Sequence, residues 1–268
     1  MSLRKRLPTA IGLLAVTFAV CQYGPRIVLF IFAQAFIVSS LVEFYGLAEK
    51  NGLRPQTALG IGLSMVVSLS FYFPAFPLGI ALFSILFVAA VYFVATCNTP
   101  EKLPYFPASI ALTILGPVYV SFPLNYIYKI RIEEGPYVLY FLFAVIFLGD
   151  TGAMFIGKAF GRHKMTPIAS PNKTWEGSAG GILFAVGGAL LARQLLLTSV
   201  PVLVAVVSAV LIHAAAQVSD PLESLFKRAV GVKDSSNALP GHGGFLDRID
   251  SLILASPLFY YVVKLFWK

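Results

Sequence analysis

Residues 224–250 of this chain place four cations, three aspartates and a glycine-rich turn between two long apolar runs. Lys227, Arg228 and Lys233 are donors suited to phosphate oxygens. Asp247 and Asp250, with Asp220 just upstream, are hard oxygen ligands suited to a divalent cation. Charge this dense beside hydrocarbon is costly unless it handles something charged. Phosphates and a metal at a membrane face point to phosphoryl or nucleotidyl transfer onto a lipid.

The spacing adds detail. His213, Gln217, Asp220, Ser224 and Lys227 fall four, three, four and three residues apart, which is one face of a helix. A polar stripe on a membrane helix must face protein or a wet cavity. Deep on that face, His213 reads as a hydrogen-bonding link between helices, whereas Asp220 and Lys227 sit at the mouth with the other charges. Asp247 and Asp250, one turn apart, could simply favour a helix N-terminus. Facing Asp220 across a loop, they would instead make a site for Mg²⁺, with room for a second cation. Arg248 between them points elsewhere, toward a carboxylate or a phosphate.

Pro240-Gly-His-Gly-Gly244 could be an ordinary turn. Flanked by Lys233, Asp234 and Asp247, its glycines would also let backbone N–H groups cradle a triphosphate. A second polar segment is Ser170-Pro-Asn-Lys-Thr-Trp-Glu-Gly177. Ser170 or Asn172 could cap the helix that follows, and Lys173 could join the phosphate-binding cations. Glu176 leads straight into an apolar run and is expected to contact metal, base or sugar. Asp150, isolated in another apolar run between small neighbours, is a candidate for the same cavity.

These groups need a scaffold, and composition supplies its class. Hydrophobic residues make up 58% of the 268 and charged residues 12%, against roughly 45–50% and about 25% in soluble domains. The mean hydropathy is +0.82. We therefore expect an all-α, polytopic helical membrane protein, because the apolar runs are continuous and lack the alternation of a membrane barrel. About nine spans are expected, near 7–22, 25–46, 57–73, 76–97, 106–128, 136–157, 175–192, 200–219 and 244–266. Prolines clustered in the third to fifth spans should end or kink helices. The whole of 1–268 reads as one integral membrane domain. Spans 1–5 occupy 1–135, and a catalytic half, 136–268, carries cytoplasmic loops 158–174 and 220–250.

With the N-terminus inside, fourteen of the twenty Lys and Arg fall on the cytoplasmic side, so N-in and C-out is expected. That orientation presents both polar loops to cytoplasmic nucleotides at the cell (inner) membrane. The formal net charge of +8 then reflects topology and anionic headgroups, not nucleic acid. Arg4-Lys5-Arg6 before an apolar run imitates a signal peptide, but a second span follows at once. Cys21 and Cys97, expected near opposite membrane faces, cannot pair. Glycines 177, 180, 181, 187 and 188 suit close helix packing and leave a homodimer open.

Residues 224–250 resemble the signature of the phosphatidate cytidylyltransferases. Its fixed elements stand here as Ser224, Lys227-Arg228, Lys233-Asp234, Leu239-Pro240, His242-Gly243-Gly244, Asp247-Arg248 and Asp250. Ser170 to Glu176 is also similar to a family segment. The resemblance implies that CTP and phosphatidic acid give CDP-diacylglycerol and pyrophosphate, with Mg²⁺. On that basis the catalytic group is Asp150, Glu176, Asp220, Lys227, Arg228, Asp247, Arg248 and Asp250. Substrate contacts fall to Asn172, Lys173, Ser224, Lys233, Asp234, His242, Gly243 and Gly244, and metal ligation to Asp220, Asp247 and Asp250. Two other classes remain: a CTP-dependent enzyme for another lipid phosphate (isoprenoid or ether lipid), and an ion-coupled transporter using Asp150, His213 and Asp220.

Overall fold

The computed structural model describes residues 3–239, 241 and 243–267, with side chains from Ile11 onward. The chain is an all-α polytopic membrane protein, as expected. Among the described residues, ten α-helices follow in order: α1 (Leu3–Tyr23), α2 (Arg26–Lys50), α3 (Thr57–Tyr72), α4 (Leu78–Thr96), α5 (Phe106–Gly116), α6 (Phe122–Glu133), α7 (Pro136–Phe160), α8 (Trp175–Leu196), α9 (Val202–Ala229) and α10 (Leu246–Phe266). Among the described residues, seven helical stretches are long and apolar enough to cross a bilayer, and Ile11–Tyr23 and Thr57–Tyr72 are shorter apolar helices. A 3₁₀ turn (Pro100–Tyr105) leads into α5. The expected fifth span is broken by a π-helical segment, Pro117–Ser121, between α5 and α6. Pro117 opens that segment because it has no N–H to continue the α ladder.

The chain clusters into two units, Met1–Tyr128 with Ala229–Arg248, and Lys129–Arg228 with Ile249–Lys268. The glycine-rich segment before α10 thus packs with the N-terminal helices.

Buried polar contacts tie the first unit together, as expected of helices with little hydrophobic force between them. Gln34 donates to Asn125 at 3.1 Å, and the Asn125 amide reaches Ser68 Oγ at 2.9 Å and Ser121 O at 2.8 Å. The Tyr45 hydroxyl donates to Thr113 O at 3.0 Å. Gly60 and Gly116 make room for it, since a methyl at either would lie 1.9 or 2.1 Å from that oxygen. Outward faces are apolar, with Phe83, Leu86, Phe87 and Val94 of α4 all exposed.

The second unit is built on the close pairing of α7 with α8. A methyl at Gly180 would lie 2.5 Å from Ile156 Cβ, and one at Gly188 would lie 2.9 Å from Ala144 O. Gly187 differs from its neighbours and faces open space. Between these helices a short antiparallel hairpin, β1 (Lys164–Thr166) and β2 (Ser170–Thr174), occupies a segment expected to be loop. The helix cap is Thr174, not Ser170 or Asn172: its hydroxyl accepts from Gly177 N at 3.1 Å. At the far end, Phe141, Phe259 and Trp267 pack together, and Trp267 donates to Ser208 Oγ at 3.0 Å.

Candidate active site

In the second unit the hairpin brings Lys173 to α9, where its ammonium lies 2.6 Å from Asp220 Oδ2. One turn along, Ser224 donates to Asp220 Oδ1 at 3.5 Å. Because α9 continues to Ala229, the expected stripe remains helical to its end. His213, Ser224 and Lys227 are buried, and Gln217 and Asp220 half-buried. Lys227 pairs with Glu223, which is fully buried one turn before it. Glu223 was not among the sequence candidates, although a carboxylate four residues before a lysine on one helix is a readable pair.

Asp250 of α10 lies within electrostatic range of Asp220, Glu223 and Lys227, and Asp150 within range of Asp220 and Lys173. Ser251 links the two aspartates: its hydroxyl donates to Asp150 Oδ2 at 3.4 Å and its N–H to Asp250 Oδ1 at 2.7 Å. Ser219 of α9 donates to the Asp250 carbonyl, fixing α9 against α10. Arg228 is exposed and donates to Ala169 O at 3.3 Å.

Other candidates are placed differently. Glu176 accepts from Arg162 N at 3.0 Å, His163 N at 3.2 Å and His163 Nδ1 at 2.5 Å, so its carboxylate clamps the turn after α7. Asn172 is exposed. His213 packs sterically instead of linking helices by hydrogen bonds. Neither ring nitrogen has a hydrogen-bond partner among the described residues. The imidazole fills a recess left by Gly149 and Gly181, where a methyl would lie 2.4 and 2.5 Å from it.

The glycine-rich segment lies in the first unit. Asp247 Oδ2 accepts from Ser235 N at 3.0 Å, Ser235 Oγ at 2.9 Å and Gly244 N at 2.8 Å. A residue that sequence reasoning missed completes this hub. Glu43 of α2, 8% exposed, accepts from Ser235 Oγ at 2.9 Å, Ser236 Oγ at 2.6 Å, Phe245 N at 3.0 Å and Leu246 N at 2.8 Å. The signal was present, since a carboxylate inside an apolar run needs a partner. Gly243 adopts φ +76°, and a methyl at Gly244 would lie 2.3 Å from Glu43 Oε2, so glycine is required at both positions. Lys233, Asp234 and Arg248 are exposed, and His242 lies outside the described residues.

A carboxylate-rich patch with lysines, carried by membrane helices, has the makings of a site for anionic substrates and a cation. The model of the cytidylyltransferase family matches residues 4–266. The chain belongs to that family. It is similar to proteins named phosphatidate cytidylyltransferase from Staphylococcus epidermidis (39% identity over 148 residues, 55% of this chain and 56% of the relative), Bacillus subtilis (38% over 154, 57% of each) and Brucella suis (41% over 157, 56% of each). The chain thus spans a little over half the length of these relatives.

Proposed function

We propose that this protein transfers CMP from CTP to phosphatidic acid at the cytoplasmic membrane face, giving CDP-diacylglycerol and pyrophosphate. The observation that carries this reading is the second-unit patch: Asp150, Asp220, Glu223 and Asp250 set against Lys173 and Lys227. The relatives' names and the resemblance of residues 224–250 supply the substrates.

In the reaction, an oxygen of the lipid phosphate attacks the α-phosphorus of CTP. The bond from that phosphorus to the bridging oxygen breaks, and pyrophosphate leaves with the electron pair. A phosphate dianion is already a competent nucleophile, so the barrier lies in bringing two anions together. Positioning and charge neutralisation should therefore dominate. Lys173, Lys227 and Arg228 supply positive charge to phosphate oxygens. Lys173 can do so by turning from Asp220, since a half-exposed ion pair costs little to exchange.

The donor set fits Mg²⁺. Ionised, the four carboxylates outnumber the two lysines, and carboxylate oxygen is what this ion takes. As they stand, no three acidic, His or Cys side chains among the described residues form a closed cage. That suits an ion that keeps its waters and uses one or two carboxylates. Asp220 and Asp250 would hold it, and its charge would neutralise triphosphate oxygens.

The test is purified protein in detergent with phosphatidic acid, Mg²⁺ and each nucleoside triphosphate in turn. CDP-lipid and pyrophosphate from cytidine triphosphates alone are expected. Mg²⁺-dependent CTP binding without product would redirect the proposal to another lipid phosphate. Folded protein with neither binding nor pyrophosphate release would overturn it.

A further inference from the structure

A cavity of about 240 Å³ opens in the first unit, between the start of α3, the end of α4, the 3₁₀ turn and α5. Its wall includes Arg54, Gln56, Tyr92, Cys97, Lys102 and Tyr105. Two full positive charges line it and no carboxylate does. Neither cation has an acidic partner among the described residues. Arg54 stacks on Tyr105, its guanidinium carbon 4.0 Å from the ring centre. Stacking engages the guanidinium face and leaves the in-plane N–H fork for an acceptor, the geometry that phosphate oxygens match. Lys102 Nζ donates to Thr96 O at 2.6 Å and Asn98 Oδ1 at 3.4 Å, which holds the ammonium at the rim with a third donor to spare. Gln56 is oriented by Tyr92, whose hydroxyl donates to Gln56 Oε1 at 2.8 Å, so its amide NH₂ adds a further donor.

We propose that this cavity binds a phosphate-bearing anion, supplied by the headgroup of an anionic phospholipid. The position favours a lipid over a soluble ion. The cavity lies where α3 begins and α4 ends, and the end of an apolar helix long enough to cross a bilayer, as α4 is, borders the headgroups. Beside it Val91, Val94 and Leu103 are exposed, an apolar track on which acyl chains can lie. Phe93 and Phe106 also line the cavity, and so present apolar surface to the glycerol end of a lipid. The site shares no residue with the proposed catalytic group, and its occupancy does not depend on that reaction.

Cys97, half-buried in the wall, provides the readout. In a Cys21→Ser background it is the sole thiol, and its reaction with N-ethylmaleimide, an uncharged reagent, can be timed in nanodiscs. Anionic phospholipid in the disc should slow the reaction several-fold relative to phosphatidylcholine alone. In the Arg54→Gln/Lys102→Gln variant, compared with itself in the two discs, that ratio should collapse toward one. Inorganic phosphate added to phosphatidylcholine discs separates the sources. Slowing by lipid but not by millimolar phosphate supports the headgroup assignment. Equal slowing by phosphate alone, lost in the double variant, overturns the lipid source. No slowing by either ligand with both cations in place, or slowing that survives their removal, overturns the site. Size-exclusion profiles of the double variant confirm that the comparison is made on folded protein.

Discussion

Glu43 shows how much can rest on one side chain. It accepts four hydrogen bonds from the glycine-rich segment, two of them from backbone N–H groups at the start of α10. Leaving such a buried donor without an acceptor costs about 1–3 kcal/mol. We therefore expect Glu43→Ala to free residues 230–245, increasing their cleavage in limited proteolysis, and to lower turnover at least about tenfold, a barrier of about 1.4 kcal/mol. Wild-type proteolysis and turnover would show that the carboxylate holds nothing in place. At this scale the sequence was partly legible. Asp220, Lys227 and Asp250 could be picked out because charge in an apolar chain is conspicuous. Glu43 was equally conspicuous but lies nearly two hundred residues from the segment it binds, and spacing carries no information over that range. The contacts of Glu176 were hidden for another reason: two of its partners, the N–H groups of Arg162 and His163, are backbone groups that no sequence pattern displays.

At the scale of elements, the stripe on α9 depends on how closely α7 and α8 approach it. Gly149 is the sharpest point of contact, because the three atoms nearest an added methyl all belong to the His213 ring. Overpacking of this kind costs about 1–3 kcal/mol. Gly149→Ala should therefore lower thermal stability, and His213→Ala, which forfeits packing but no hydrogen bond, should also destabilise. Combined, the two should be less destabilising than Gly149→Ala alone, with a coupling of about 0.5–3 kcal/mol. Additive melting shifts in a double-mutant cycle would show that the helices adjust elsewhere. The elements themselves were largely readable, since continuous apolar runs of span length become helices. Two features were not. The hairpin at 164–174 is too short to show a period, and α9 runs ten residues beyond the apolar span 200–219, which only the polar spacing to Lys227 hinted at, because hydropathy marks the membrane boundary and not the helix end.

For the whole molecule, the distribution of Lys and Arg argues an orientation, and α8 makes it testable within one unit. Its 22 residues, at about 1.5 Å each, cover the hydrocarbon thickness, so the β1–β2 hairpin and the turn after α8 must emerge on opposite sides. The hairpin side carries Lys158, Arg162, Lys164 and Lys173, whereas the other end has only Arg193. By the bias of basic residues toward the cytoplasm, the hairpin is expected inside. In a background lacking Cys21 and Cys97, a cysteine replacing Thr198 should react with a membrane-impermeant thiol reagent in intact cells. One replacing Ile168, which is 78% exposed, should react only after the membrane is opened. The reverse pattern would place Lys173 and Asp220 on the side without nucleotides, and the proposed reaction could not then draw on cytoplasmic CTP. The expected pattern would instead put Lys173 and Asp220 where the proposed reaction needs them: a soluble triphosphate and a lipid phosphate can meet only where the bilayer borders the cytoplasm.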